Sequence, residues 1–430
     1  MNIHDKITRV RSVLIISMYF RPEISGESTL AWNRAMIFHK IGFSVFVLCG
    51  FPSFPMGKVS DSKYKGKLFY VEKLEPFIVI RLRLIPITHT GLTNRFILFL
   101  NFIFITLLFM PQILKITGTI GITYARSPIL FSAFIGFIYA KCTRSFFILE
   151  MPDLWPEELV HAKPSLSFII MPVGKALAKL AYKLPHIIVT LSDLAINLIS
   201  KKYHPKKPVY CLFAGVDTSE FPIRIKNNSR MELIKRQIFP SEFNNKFIVL
   251  HLGSIAKMQQ LENLAYAAEK LKSENEIVIV IIGEGEEKHI LKQLKTEMEL
   301  ENCYLLPSQP RDLIPVIISS VDVCTIMLSP EPIFQIVMPI KFYEYLASKK
   351  PMIGVCEGEL AKIINSNGIG RTVTSANVAK LASDIKDFKN SPTMLQIMEN
   401  NCVAVLKKFS LEKISSDLDQ ILKKECGYNS

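Results

Sequence analysis

The sequence predicts an α/β protein of two domains, each built on a parallel sheet, and three observations carry that prediction. Short aliphatic runs alternate with helix-length stretches over nearly the whole chain, the pattern of repeated βαβ units. The chain has 430 residues and is 49% hydrophobic, enough to bury more than one core. Its charge also divides unevenly. Residues 1–210 hold 26 Lys and Arg against 11 Asp and Glu, whereas residues 211–430 hold 26 against 27. A basic half and a neutral half suit two domains that meet different partners.

The predicted strands of the first half are 12–18, 44–49, 121–125, 146–150 and 186–191, and those of the second are 247–253, 276–283, 303–306, 322–328 and 351–355. Runs such as "SVLIISM" and "EIVIVIIG" stay apolar at successive positions because strands of a parallel sheet are covered on both faces. Helices are predicted over 27–41, 128–142, 259–273, 286–299 and 376–389. The polar stretch 222–237, "PIRIKNNSRMELIKRQ", reads as the linker. The expected domains are 1–212 and 213–407, with a C-terminal helix, 408–430, able to pack back on the first.

Eight cysteines lie singly at 49, 142, 211, 303, 324, 356, 402 and 426. None pairs at zinc or thioredoxin spacing, so they read as reduced, cytosolic thiols, and no metal site is expected. The charged start "MNIHDKITRV" precedes only a short apolar run, a buried strand rather than a signal peptide. The basic half brings no stacking platform and no helix-turn-helix pattern, which argues against nucleic acid. An anionic membrane surface suits it better.

Residues 94–117, "NRFILFLNFIFITLLFMPQILKIT", are the most apolar segment. At 100° per residue Asn94, Asn101 and Gln112 fall near one line, with Lys115 beside it. An interfacial helix with a narrow polar stripe is expected, with Phe99, Phe102 and Leu108 toward lipid. A helix buried in the domain core and a membrane span are the alternatives. A second stretch, 174–186, sets Lys175, Lys179 and Lys183 on one face over Leu177, Leu180 and Leu184, as a membrane-facing or a merely solvated helix would.

Chemistry is expected at the carboxyl ends of the strands, where helix N-termini offer N–H groups to phosphate. After the first strand, "YFRPEISGES" puts Gly26 at the start of a helix. "HLGSIAKMQQ" makes a turn of Gly253 and Ser254 with Lys257 placed to reach back over it. "IIGEGEE" sets Gly283 before Glu284 at a strand-to-helix turn, and "MPIKFYEY" places Lys341 in a first helical turn with Glu344 three residues on. A lysine there opposes the helix dipole unless an anion lies nearby. A nucleotide diphosphate would supply one, with Glu344 accepting hydrogen bonds from a ribose diol. Ordinary βα loops and a solvated lysine are the plain alternatives. In the first half, "LEMPDLWPEEL" presents Asp153 and Glu157 from a proline-bounded turn, either at a cleft or at a structural corner.

Taken in order, these segments resemble the glycosyltransferases of family 4, and most nearly the WbuB-like subgroup of bacterial O-antigen and capsule assembly. "YFRPEISG" is similar to the family's first loop and "GFPSFPMGK" to its GFP-x-x-P-x-G turn. "RSPILF", "PDLWPE", "AGVDTSEF", "LGSIAKMQQLENL", "IIGEGEE" and "PIKFYEYLASKKPMI" follow, so the resemblance covers nearly the whole chain. It implies the GT-B fold, two facing Rossmann-like domains with a cleft between them. The second domain would bind a UDP-sugar donor through Gly253, Ser254, Lys257, Gly283, Glu284, Lys341 and Glu344, with Gly26 contributing from the first. Asp153 and Glu157 would serve catalysis at the acceptor side. The resemblance further implies transfer of an N-acetylated sugar with retention, without metal or other cofactor. The acceptor would be a saccharide on a polyprenyl diphosphate, at the cytoplasmic face of the bacterial inner membrane. Three positions depart from the family pattern: Ile336 and Pro152 stand where relatives have Glu and His, and Ala214 where they have Asn. A catalytically weak sugar-nucleotide-binding subunit of an assembly complex is the alternative these departures leave.

Overall fold

In the computed structural model, residues 10–54, 56–89, 91–126, 131–153, 167–221, 237–374 and 377–428 are described. They form two compact units, one of residues 1–215 with 411–430 and the other of residues 216–410. The predicted linker, 222–237, lies almost entirely outside the described residues.

The first unit holds an eight-stranded sheet. Its strands are β1 (Ser12–Ile16), β2 (Ser44–Gly50), β3 (Phe69–Leu74), β4 (Phe77–Leu82), β5 (Ile122–Arg126), β6 (Phe146–Glu150), β7 (Ile187–Thr190) and β8 (Val209–Cys211). They run in the order β3-β4-β2-β1-β5-β6-β7-β8, and all neighbours are parallel except the β3–β4 hairpin. Every residue of β1, β5 and β6 is buried, which is why these strands read as mostly apolar runs, with Arg126 and Glu150 as charged residues at the carboxyl ends of β5 and β6. The edge strands were illegible for the same reason. β3 alternates half-buried residues with exposed Val71 and Lys73, and β8 is three half-buried residues long.

Helix α1 (Gly26–Lys40) follows β1, and the Ser25 hydroxyl caps it by accepting from the Ser28 N–H at 3.1 Å. Helices α2 (Leu92–Leu108), α3 (Met110–Thr117), α4 (Phe131–Thr143), α5 (Ser167–Ala181) and α6 (Asp193–Tyr203) complete the crossovers. Pro111 breaks the expected single helix over 94–117, and α2 and α3 meet at 66°. Among the described residues no single helix is long and apolar enough to cross a membrane; the bent pair passes by length and composition.

The second unit is a six-stranded parallel sheet. Strands β9 (Phe247–Leu252), β10 (Ile277–Ile282), β11 (Cys303–Leu306), β12 (Val323–Met327), β13 (Met352–Val355) and β14 (Gly370–Val373) run in the order β11-β10-β9-β12-β13-β14. Helices α7 (Glu262–Lys270), α8 (Lys288–Glu297), α9 (Ile314–Ser319), α10 (Ile340–Ala347), α11 (Gly358–Ser366), α12 (Val378–Asn390) and α13 (Pro392–Phe409) cover it. A last helix, α14 (Leu411–Cys426), belongs to the first unit. Leu411, Ile414, Leu418 and Leu422 join the core of α1, β1 and β2, and Tyr428 donates to the Ile41 carbonyl at 3.1 Å.

Helix α2 reverses the expected orientation of the 94–117 segment. The Asn101 carboxamide oxygen accepts from the Ile85 N–H at 3.1 Å and Asn94 donates to Thr88 at 2.9 Å, so the asparagines of the stripe serve the 85–88 backbone and side chains. Phe99 and Phe102, expected toward lipid, are buried at 4% and 1% exposure. The outward face carries Phe96, Ile97, Leu100, Phe104, Leu107 and Leu108, with Phe104 at 64% and Leu108 at 56%. Loop residues 85–88 need partners for their polar groups, and Asn94 and Asn101 supply two of them.

Candidate functional site

In the second unit the carboxyl ends of β9 and β10 come together through three glycines. A Cβ on Gly283 would sit 1.8 Å from the Gly253 carbonyl oxygen, and one on Gly285 would sit 2.0 Å from that of Ile255. Backbone passes over backbone here, and a glycine is the residue that allows it. Gly283, expected to receive the donor, thus serves first to seat one loop on the other. Gly253 itself takes φ +133°, and a Cβ there would lie 3.1 Å from the Lys341 amine.

That amine defines the centre of the site. Pro339 starts α10 and fixes the chain's entry, and Lys341 occupies its first turn. Lys341 Nζ lies 3.1 Å from His251 Nε2 at the end of β9. His251 is fully buried, with Nδ1 3.3 Å from the Thr325 hydroxyl on β12. Burial and the neighbouring lysine hold the imidazole well below its usual pKa, hence neutral. Burial pulls the Lys341 pKa down to about 7, opposed by the negative charge of Glu344.

Glu344, one turn further on, is 5% exposed and paired with Arg311, which also bonds Glu220 at 3.2 Å. The guanidinium lies over the Phe221 ring, 5.7 Å from its centroid. The carboxylate expected to await a ribose is therefore held by an arginine 33 residues away in sequence. Sequence reasoning missed Arg311, Glu220 and His251. The one available signal was His251 as a lone polar residue within a buried strand.

The other expected residues divide. Ser254 is exposed and its hydroxyl accepts from Gln259 at 3.2 Å. Lys257 is exposed at the start of a 3₁₀ turn, Lys257–Gln259, in the loop leaving β9. Glu284 is half exposed and pairs with Lys288 at 2.7 Å, while the same amine donates to the Gly283 carbonyl at 3.0 Å. A surface pair of this kind contributes little, so Glu284→Gln should change stability by at most about 0.5 kcal/mol in urea unfolding. A loss above about 1 kcal/mol would show that Glu284 does more than face solvent.

In the first unit, Gly26 is exposed at the N-terminus of α1 and Asp153 is half-buried just beyond β6. Glu157 lies outside the described residues. Close in sequence to Gly26 and Asp153, at Glu27 and Glu150, lies a buried charge cluster. Glu150 accepts from Arg34 Nε at 2.8 Å and from Arg126 Nε at 2.6 Å, and all three side chains are fully buried. Arg126 also donates to the Glu27 carbonyl at 3.0 Å, tying the start of α1 to the ends of β5 and β6. Among the described residues no three His, Cys, Asp or Glu side chains converge to hold a metal ion.

Of the three departures, Ile336 is buried at 2% exposure, so hydrocarbon fills the place where the resemblance implied a carboxylate. Ala214 is also fully buried.

Residues 234–403 match the model of the family Glycosyl transferases group 1. The chain is 31% identical over 104 residues to the putative colanic acid biosynthesis glycosyl transferase WcaI of Escherichia coli strain K12, 24% of this chain and 25% of that protein. Its matches to curated relatives span between a quarter and somewhat under three-fifths of their lengths. Among solved structures, sucrose-phosphate synthase from Thermosynechococcus elongatus superposes with a TM-score of 0.73 at 13% identity, covering 96% of this chain and 98% of that one. HepE of Anabaena, solved in complex with UDP, gives 0.67 at 14% identity over 96% and 100%. At such identities the likeness is one of fold, and the fold is GT-B, two Rossmann-like domains with parallel sheets.

Proposed function

Because its second unit carries a glycosyltransferase group 1 domain, we propose that the chain is a retaining family 4 glycosyltransferase of the WbuB-like subgroup. It transfers an N-acetylated sugar from a UDP-sugar to a saccharide on a polyprenyl diphosphate, at the cytoplasmic face of a bacterial inner membrane, in O-antigen or capsule assembly. The observation that carries the reading is the Lys341 amine, set beside Gly253 at a strand end and a helix N-terminus and bonded to a neutral imidazole. A cation placed so meets the charge that develops on a departing nucleoside diphosphate. The relative named for colanic acid biosynthesis and the neighbour solved with UDP are consistent with it. Asp153 and Glu157 are proposed to serve the acceptor side, and no metal is assigned a role.

The test is thermal stabilisation by a panel of nucleotide sugars, followed by turnover with a lipid-linked acceptor. UDP-sugar turnover supports the reading, and failure of every UDP-sugar to bind refutes it. A second reading, a sugar-nucleotide-binding subunit with weak catalysis, is favoured by the buried Ile336. Binding without turnover would select it.

The membrane part of the proposal rests on the outward apolar face of α2 and on the exposed Lys175, Lys179 and Val173 of α5. Apolar burial supplies the salt-resistant share of such binding, and lysines near an anionic surface add about 1 kcal/mol each. Phe96→Ser, Phe104→Ser and Leu108→Ser together should abolish most co-sedimentation with anionic vesicles at high salt while leaving the protein folded. Vesicle binding equal to wild type would remove the face from the membrane. Phe99→Ser, by contrast, should destabilise the unit by about 2–4 kcal/mol, since it cuts into the core.

A further inference from the structure

The partners of the Lys341 amine point one step further than donor binding, and the inference rests on that reading of the site. Thr325 donates its hydroxyl hydrogen to the Leu250 carbonyl at 3.2 Å. Its oxygen is then left to accept, so the His251 nitrogen 3.3 Å away carries the proton. In that arrangement Nδ1 is the donor, and Nε2, 3.1 Å from Lys341 Nζ, is an acceptor. Every hydrogen in the chain from Lys341 to Leu250 runs one way. The imidazole also fixes where the amine stands, because Gly253 offers no side chain and leaves room for Nζ and Cε alongside it.

We propose that His251 is a positioning residue for Lys341: it holds the amine at the Gly253 turn, and binding of a nucleoside diphosphate sugar draws a proton onto that amine. The groups facing the amine are His251 from β9 and Glu344 from its own helix, and Glu344 is itself engaged by Arg311. With its pKa near 7, the free amine is charged below that pH and increasingly neutral above it. A bound diphosphate favours the ammonium and raises its pKa, so binding takes up a proton above pH 7. Affinity should then fall as pH rises, by up to about tenfold per pH unit until the raised pKa is reached. The proton balance is simple: solvent supplies H⁺, the Lys341 lone pair accepts it, and no bond to the donor sugar changes.

The experiment is calorimetric titration of the full-length protein with UDP-N-acetylglucosamine at pH 6 to 9, in buffers of differing ionisation enthalpy. This probe has a diester diphosphate that does not titrate in that range, so proton uptake belongs to the protein. Uptake approaching one proton near pH 8, with affinity falling from pH 7 to 9, is the expected result. His251→Leu should weaken binding about tenfold or more at pH 7 and move the pH midpoint, because the acceptor and the seat for the amine are gone. His251→Gln, whose side-chain oxygen can still accept, should recover most of the affinity. Binding that is independent of pH and buffer overturns the inference while leaving the donor reading intact. So does a folded His251→Leu protein with wild-type affinity and proton uptake. No binding by the wild-type protein at any pH overturns both.

Discussion

Glu150→Ala should cost the first unit about 3–5 kcal/mol of stability, the largest loss expected of any single substitution considered. Burying three ionised side chains is tolerable because each charge finds hydrogen-bonding partners: Arg34 meets Glu150 and the Leu212 and Phe213 carbonyls, and Arg126 meets Glu150 and Glu27. Removing the carboxylate leaves two buried guanidiniums with no counter-charge at their centre. Burial raises the Glu150 pKa, but the charges of Arg34 and Arg126 more than offset this and hold it below the ordinary value of 4.5. A depressed carboxyl contributes stability that is present above its unfolded pKa and lost as pH falls through the folded one. Wild type should therefore weaken below about pH 4.5, and Glu150→Ala should lose this share of the dependence. Urea unfolding at pH 7 and pH 4 measures both. A loss under about 1 kcal/mol would mean that the cluster is not the anchor of α1.

Lys341→Ala should lower affinity for UDP by about tenfold or more at pH 6.5, the loss of one charged hydrogen bond of roughly 1.5–3 kcal/mol. The fold should survive, because this half-buried amine lacks the bonds to several elements that Glu150 makes. Removing the amine also removes the proton uptake, so the variant's affinity should be flat from pH 6 to 8 when a nucleotide sugar is the probe. Calorimetry with a thermal-unfolding control checks both statements. A folded variant with unchanged UDP affinity would mean that the phosphate lies elsewhere, with Lys257 as the next cation to examine.

The sequence by itself determined the parts of this protein that depend on local pattern. Central strands β1, β5, β6, β9, β10 and β12 were legible because burial on both faces leaves few polar positions, and the loops that follow them marked where ligands approach a parallel sheet. Lys341 stood out for a local reason too, a cation in the first turn of a helix. Tertiary structure alone decided which groups meet. Glu344 found Arg311 rather than solvent because the fold brings the short turn after β11 to its carboxylate. His251 found Lys341 across 90 residues because the amine lies against the end of β9. The asparagine stripe of α2 turned inward because the 85–88 loop had donors and acceptors to satisfy. Periodicity reports that a helix has two unlike faces. Which face goes inside depends on the polar needs of the neighbour it packs against, and that neighbour is set by strand order, which spacing along the chain does not encode.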